Sequence, residues 1–139
     1  MTFSNIMIWP MIAHAFLVFG LYYLLSSRRI GAVRAGTAKA EQFKENRDEP
    51  LESLLIHNNL KNQFELPLLF HVVCLALYLT TADNVVTAFL AWAFVLSRYV
   101  HSYVHITSNR LRHRRPIWIT GFFLLIALWI WLDVWLALG

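Results

Sequence analysis

The chain has 139 residues, the length of one domain, and 58% of them are hydrophobic while only 14% are charged. Soluble domains contain roughly 45–50% apolar and about 25% charged residues, so this composition excludes an ordinary water-soluble domain. The net charge of +4 does not indicate nucleic-acid binding, because the basic residues flank long apolar runs, where they orient membrane proteins and contact anionic headgroups.

The lysines and arginines follow a topological pattern. All twelve lie in two stretches, Arg28 to Lys61 and Arg98 to Arg115, with apolar runs before, between and after them. Because cytoplasmic loops carry an excess of basic residues, we predict a single transmembrane domain, residues 1–139, with both basic loops in the cytoplasm. Both termini and the turn at 80–84 then lie on the opposite side, and the expected location is a bacterial inner membrane.

The first predicted span covers residues 6–25, about 20 residues, which is enough to cross ~30 Å of hydrocarbon. A polar connection follows, and its residues 38–44 are expected to be helical in part. A second helix is predicted to begin near Asp48, since an acidic pair followed by Pro50 is a good helix start.

This second helix is predicted to run to Thr80, and it crosses the membrane over residues 64–80. Pro67 lies inside it and is expected to kink it or loosen one turn. The third span is predicted over residues 85–106. A short basic connection then leads to Pro116, which is expected to open the fourth span, residues 116–138. The predicted fold is therefore an all-α integral membrane four-helix bundle.

Common catalytic signatures are absent from the sequence. The single cysteine, Cys74, lies in an apolar run, so no disulfide within the chain and no cysteine metal site is available. The sequence contains no GxSxG elbow, no P-loop and no GxGxxG. If the protein is an enzyme, we expect its nucleophile to arrive with the substrate.

Polar residues form stripes on two of the predicted helices. Asn58, Asn62 and Glu65 are spaced by four and three on the second helix, and the third carries a similar stripe. Ionisable groups in a membrane helix are costly and therefore mark a function or a specific partner. The third-helix stripe and the arginines after it are Arg98, His101, His105, Arg110, Arg112, Arg114 and Arg115.

These stripes predict a polar pocket between the second and third spans, open to the cytoplasm, mainly positive and with one carboxylate. Arginines bind carboxylates through paired hydrogen bonds and a glutamate can hold an ammonium, so the pocket suits a small anion that also carries an amine. Structural alternatives remain open. Polar contacts also join membrane helices, at ~0.6–2 kcal/mol each, and Glu65 with Arg98 could be such an ion pair.

His101 and His105 have the spacing of a helical metal or haem site. The sequence has no second carboxylate-rich motif, so we predict no metal site and favour hydrogen bonding or proton relay for these histidines. The loop arginines taken alone are typical of headgroup contacts.

Two segments resemble a known family. The run NLKNQFELP from Asn59 to Pro67, followed by RYVHSYVH from Arg98 to His105 and the basic link to Arg114, resembles the MAPEG family. These are small four-helix membrane proteins of eicosanoid and glutathione metabolism, and the resemblance covers nearly the whole chain. It implies a homotrimer with glutathione held between neighbouring subunits near the cytoplasmic face.

The resemblance also implies roles for individual residues. Arg114 and then Arg110 are the candidates for activating the glutathione thiol. Three departures make prostaglandin synthesis doubtful, because His105, Arg115 and Trp118 stand where the prostaglandin synthase branch has tyrosine, serine and tyrosine. The candidate glutathione-binding residues are Arg34, Lys61, Asn62, Glu65, Arg98, His101 and His105.

The predicted function is a glutathione-dependent membrane transferase or peroxidase acting on a small lipophilic substrate dissolved in the bilayer. The first alternative is a non-catalytic member of the same family that binds an anionic lipid or a partner protein. The second is a small carrier or haem-binding bundle that uses His101 and His105.

Overall fold

The computed structural model describes residues 5–138, which form helices and contain no strand. A short 3-10 helix at Asn5–Met7 leads into the first long helix. The α-helices are α1 (Ile8–Arg34), α2 (Ala40–Glu45), α3 (Leu51–Asn62), α4 (Leu66–Leu79), α5 (Val85–Ile106) and α6 (Leu111–Leu138).

Four helical segments are long and apolar enough to cross a membrane. They are Asn5–Arg34, Leu51–Leu79, Val85–Ile106 and Leu111–Leu138. The second consists of α3 and α4, which follow one another with a short interruption. The prediction of an all-α bundle of four membrane-length helices is confirmed.

The second helix begins three residues after the predicted start near Asp48, and the loosened turn expected at Pro67 is observed as a short break. The helix begins at Leu51, ends at Asn62 and restarts at Leu66. Pro67 explains the interruption, because it has no N–H to donate to the Gln63 carbonyl and its ring would collide with that carbonyl in a continuous helix. Glu65 therefore does not share a helical face with Asn62, as its spacing suggested.

The fourth helix begins before the predicted position. The connection from α5 is only residues 107–110, and Pro116 lies inside α6 instead of opening it. The missing N–H affects the carbonyl of Arg112, which lies in an exposed first turn where water can bind that carbonyl. Arg114 and Arg115 are consequently helical residues, whose positions are set by α6.

The first helix is longer than predicted. It continues past residue 25 through the basic residues to Arg34, and the chain turns at Gly36, whose φ is +74°. Alanine and arginine favour helix, and a glycine in the left-handed region is a common way to end one. The predicted helix at 38–44 is observed as α2, Ala40–Glu45.

The main core lies between α4, α5 and α6. The rings of Phe70 and Phe94 stack with their centroids 4.5 Å apart, and Leu77 and Leu128 are fully buried beside them. Gly121 allows close approach of α6 to α5, since a Cβ at this position would lie 2.7 Å from Ser97 Oγ. Small residues permit this kind of helix contact in membranes.

A second, smaller core joins α1 to α3. It consists of Leu21, Leu25, Ile56 and Leu60. It places the last turn of α3 beside the middle of α1 and opposite α5, so that polar residues of three helices come together inside the bundle.

Candidate functional site

Arg98 is the most unusual residue inside the bundle. It lies on α5 and is 1% exposed. Its Nη2 is 3.3 Å from His101 Nδ1, while its Nε and Nη1 atoms have no hydrogen-bond partner among the described residues. A buried charge is costly unless it is paired. The unpaired N–H groups are therefore a position where an anionic group would be bound favourably.

Two histidines follow Arg98 along the same face of α5. His101 and His105 are both buried, and their rings meet edge to face with centroids 5.7 Å apart. His105 Nδ1 lies 3.5 Å from Asn62 Nδ2, at the outer limit of hydrogen bonding. The structure thus brings the last residue of α3 to the polar face of α5.

Two further charged residues lie close to this cluster. Arg114, half-buried on α6, is near enough for its charge to act on His101 and His105, and its Nη1 donates to Asn109 Oδ1 at 2.7 Å. Glu65 is exposed, but its charge acts on the buried Arg98, although the two side chains form no ion pair within 4.0 Å. We call Asn62, Glu65, Arg98, His101, His105 and Arg114 the basic cluster.

Three predicted site residues stay outside the basic cluster within a single chain. Arg34, Lys61 and Arg110 are all exposed. Arg34 lies in the last turn of α1, and Arg110 lies in the connection just before α6. Lys61 and Glu65 lie four residues apart but form no ion pair within 4.0 Å, because the helix ends at Asn62, between them.

A buried polar network was missed at the sequence level. Asn59 is 0% exposed, and its Nδ2 donates to the Ser102 carbonyl at 3.1 Å. Gln63 Nε2 donates to Asn59 Oδ1 at 2.9 Å and to Ser102 Oγ at 3.1 Å. Asn59 and Gln63 are spaced by four, so their spacing was a usable signal, but the neighbouring Asn58 and Asn62 have the same spacing.

The same network continues to two histidines on α1 and α4. Gln63 Oε1 lies 3.1 Å from His14 Nε2, and His14 Nδ1 lies 3.0 Å from His71 Nε2. His14 is 2% exposed. No pattern in the sequence connects His14 with His71, since 57 positions separate them. Within residues 5–138, no group of three or more potential metal-ligating side chains is arranged to hold an ion.

The fold and the basic cluster define a class of protein: a small membrane four-helix bundle with a cationic polar site between its second and third spans. The chain belongs to the MAPEG family, because the model of that family matches residues 7–132. Members of this family are membrane four-helix bundles generally associated with glutathione, so the resemblance drawn from the sequence is confirmed. Neither the curated proteins nor the solved structures include a match to the chain.

Proposed function

We propose that the protein is a glutathione-dependent membrane transferase or peroxidase of the MAPEG type. The observation that carries this proposal is the buried guanidinium of Arg98, which has two N–H-bearing nitrogens without partners in a chain of a glutathione-associated family. Glutathione supplies two carboxylates, an amine and a thiol, which match the cations, the carboxylate and the amide of the basic cluster.

Each member of the basic cluster has a role in this proposal. Arg98 binds a glutathione carboxylate, Glu65 holds the ammonium group, and Asn62 contributes both a donor and an acceptor. His101 and His105 supply further hydrogen bonds. Because Arg34, Lys61 and Arg110 are exposed in the single chain, we propose that they contact glutathione across a subunit boundary, in the homotrimer that the family resemblance implies.

Arg114 is proposed to activate the thiol. A free thiol with a pKa near 8.5 is only a few per cent ionised at neutral pH. A guanidinium about 4 Å away favours the thiolate by up to roughly 4 kcal/mol at an effective dielectric constant near 20. A shift of about two pKa units requires only ~2.7 kcal/mol, so one arginine is sufficient when desolvation costs less than about 1.3 kcal/mol. Arg110 is the second candidate for this role.

The thiolate would attack a substrate dissolved in the bilayer. With an electrophile, a sulfur–carbon bond forms and the electron pair departs with the leaving group. With a hydroperoxide, the thiolate attacks the terminal oxygen and the oxygen–oxygen bond breaks. The lipid leaves as an alkoxide and becomes an alcohol by taking up the proton that the thiol lost on ionisation. The resulting glutathione sulfenic acid then reacts with a second glutathione to give the disulfide and water.

The test combines binding and thiolate formation on purified protein. Calorimetry should show glutathione binding to the unmodified protein, weakened roughly 10- to 100-fold by Arg98→Met, because a hydrogen bond to a charged group is lost. Glu65→Gln should also weaken binding. Arg114→Ala should keep binding but lose the ultraviolet absorbance of the bound thiolate.

Arg112→Ala is the matched control, since this arginine lies on the same first turn of α6 but is exposed, and it should change neither measurement. Unchanged thiolate absorbance in Arg114→Ala would remove Arg114 from the mechanism. Absence of glutathione binding to the unmodified protein would overturn the whole proposal. Binding without turnover of any electrophile or hydroperoxide would favour the non-catalytic alternative.

A further inference from the structure

A cavity lies between α1 and α4, away from the basic cluster. Its volume is about 240 Å³, and none of the basic-cluster residues lines it. Phe19 and Phe64 line it and are both largely exposed, so the cavity reaches the surface of the bundle. Its remaining lining residues are Ala15, Val18, Leu68, His14, Gln63 and His71.

The polar residues of this cavity belong to the buried network. The Ser102 carbonyl determines which atoms of this network donate and which accept. The Ser102 carbonyl can only accept, so the atom of Asn59 that meets it is the amide nitrogen, and Asn59 Oδ1 faces Gln63. Gln63 must therefore present its own nitrogen to Asn59 and its oxygen to His14 Nε2.

The hydrogen-bond direction extends to the two imidazoles. A charged imidazole is disfavoured inside a membrane span, so each ring carries one N–H. His14 donates from Nε2 to Gln63, which leaves His14 Nδ1 as an acceptor for the Nε2–H of His71. His71 Nδ1 then carries no proton and can only accept a hydrogen bond, and it has no hydrogen-bond partner among the described residues.

We propose that this cavity binds a membrane lipid that carries a hydroxyl group, with its O–H donating to His71 Nδ1 and its chain lying between Phe19 and Phe64. Ethers and ketones should bind more weakly than alcohols, because they have no O–H to donate to His71 Nδ1. The volume lies below the ~300–1,000 Å³ of typical ligand sites, and it accommodates a single unbranched aliphatic chain. This inference does not rest on glutathione binding.

Photolabelling of the protein in lipid nanodiscs tests the proposal. The probes are a long-chain alcohol with a photoreactive group in its chain and the methyl ether of the same molecule. The alcohol should label the walls of the cavity roughly 3- to 10-fold more than the ether, because one additional hydrogen bond increases affinity by about this factor. Ala15→Phe, which fills the cavity, should abolish labelling there.

His71→Phe should remove the preference for the alcohol. Val72→Phe is the control, because it adds a ring at the next residue, which is 44% exposed and does not line the cavity, and it should keep the preference. Equal labelling by the two probes in the unmodified protein, or a preference that survives His71→Phe, would overturn the proposal.

A spectroscopic measurement decides the question even if a substituted protein does not fold. The ¹⁵N spectrum of histidine-labelled, unmodified protein should show His71 Nδ1 without a proton and His14 protonated at Nε2. Addition of the long-chain alcohol, but not of its ether, should shift the His71 Nδ1 signal. A proton on Nδ1 of His71, or the same response to both molecules, would contradict the proposed hydrogen bond.

Discussion

Asn58 and Asn59 are adjacent in the chain and lie in opposite environments. Asn58 is exposed, whereas Asn59 is fully buried and bonds to Ser102 and Gln63. The stripe read from the sequence contained Asn58, because its spacing to Asn62 matched a helical face. The spacing of Asn59 to Gln63 matches equally well, and only the packing of α3 against α5 distinguishes the two asparagines.

Asn59→Leu should destabilise the protein by about 1–3 kcal/mol, because the Gln63 side-chain nitrogen loses an acceptor and buried polar groups are left unpaired. Asn58→Leu should change stability by less than about 0.5 kcal/mol, as is usual at exposed positions. Thermal unfolding of both detergent-solubilised variants measures the difference. Equal effects of the two substitutions would contradict the buried network.

At the scale of helices, Pro67 and Gly121 determine where polar groups meet inside the bundle. Pro67 interrupts the second span, and the interruption puts Gln63 where it can join α1 to α5. Gly121 lets α6 approach α5 at Ser97, which helps to bring Arg114 of α6 near His101 and His105. The sequence predicted a disturbance at Pro67, but a proline alone does not determine whether a helix bends or restarts.

The contact between α5 and α6 gives a prediction at Gly121. Gly121→Ala gains about 1 kcal/mol of helix propensity, but its Cβ would displace Ser97 Oγ from the Phe94 carbonyl, to which it donates at 2.6 Å. In the unmodified background we therefore expect an effect between neutral and about 1 kcal/mol destabilising. In a Ser97→Ala background the same substitution should be stabilising.

The predicted quantity is the coupling between the two positions, about 1–2 kcal/mol, measured as a double-mutant cycle of unfolding free energies. Ser97→Ala removes the oxygen and leaves only ordinary contacts to the new Cβ. Additive effects of the two substitutions would show that Gly121 does not set the distance between α5 and α6.

At the scale of the whole molecule, an ion pair joins α1 to the connection between the first two spans. Arg29 on α1 donates two hydrogen bonds to Glu49, at 2.8 and 3.1 Å, and a third to His57 at 2.8 Å. The Arg29 guanidinium also lies over the Phe43 ring. The long connection between the first two spans is thereby packed against α1.

This packing predicts sensitivity to acid. Burial alone would raise the pKa of Glu49, but the hydrogen bonds and charge of Arg29 outweigh it and hold this pKa below its ordinary value of 4.5. A lowered folded-state pKa stabilises the protein above the unfolded-state value, and this stabilisation is lost as the pH falls through the folded-state value.

The unfolding temperature should therefore decrease below about pH 4.5. Glu49→Gln should lower it at neutral pH and should reduce its decrease in acid, because the titrating group is gone. Glu52→Gln is the control, since its pair with Arg28 is exposed and 3.4 Å long and contributes little. An identical pH profile for the unmodified protein and Glu49→Gln would exclude this role for the ion pair.

The sequence by itself determined the fold class, the number of spans and the family, because hydrophobic length and the positions of charges are properties of the chain read in order. It also indicated Arg98, His101 and His105, whose spacing within one unbroken helix is preserved in α5. Only the tertiary structure decided that Glu65 leaves the helical face of Asn62, that Asn59 instead of Asn58 is buried, and that His14 meets His71. These contacts join different helices, and their geometry depends on how the helices pack, which spacing along the chain does not encode.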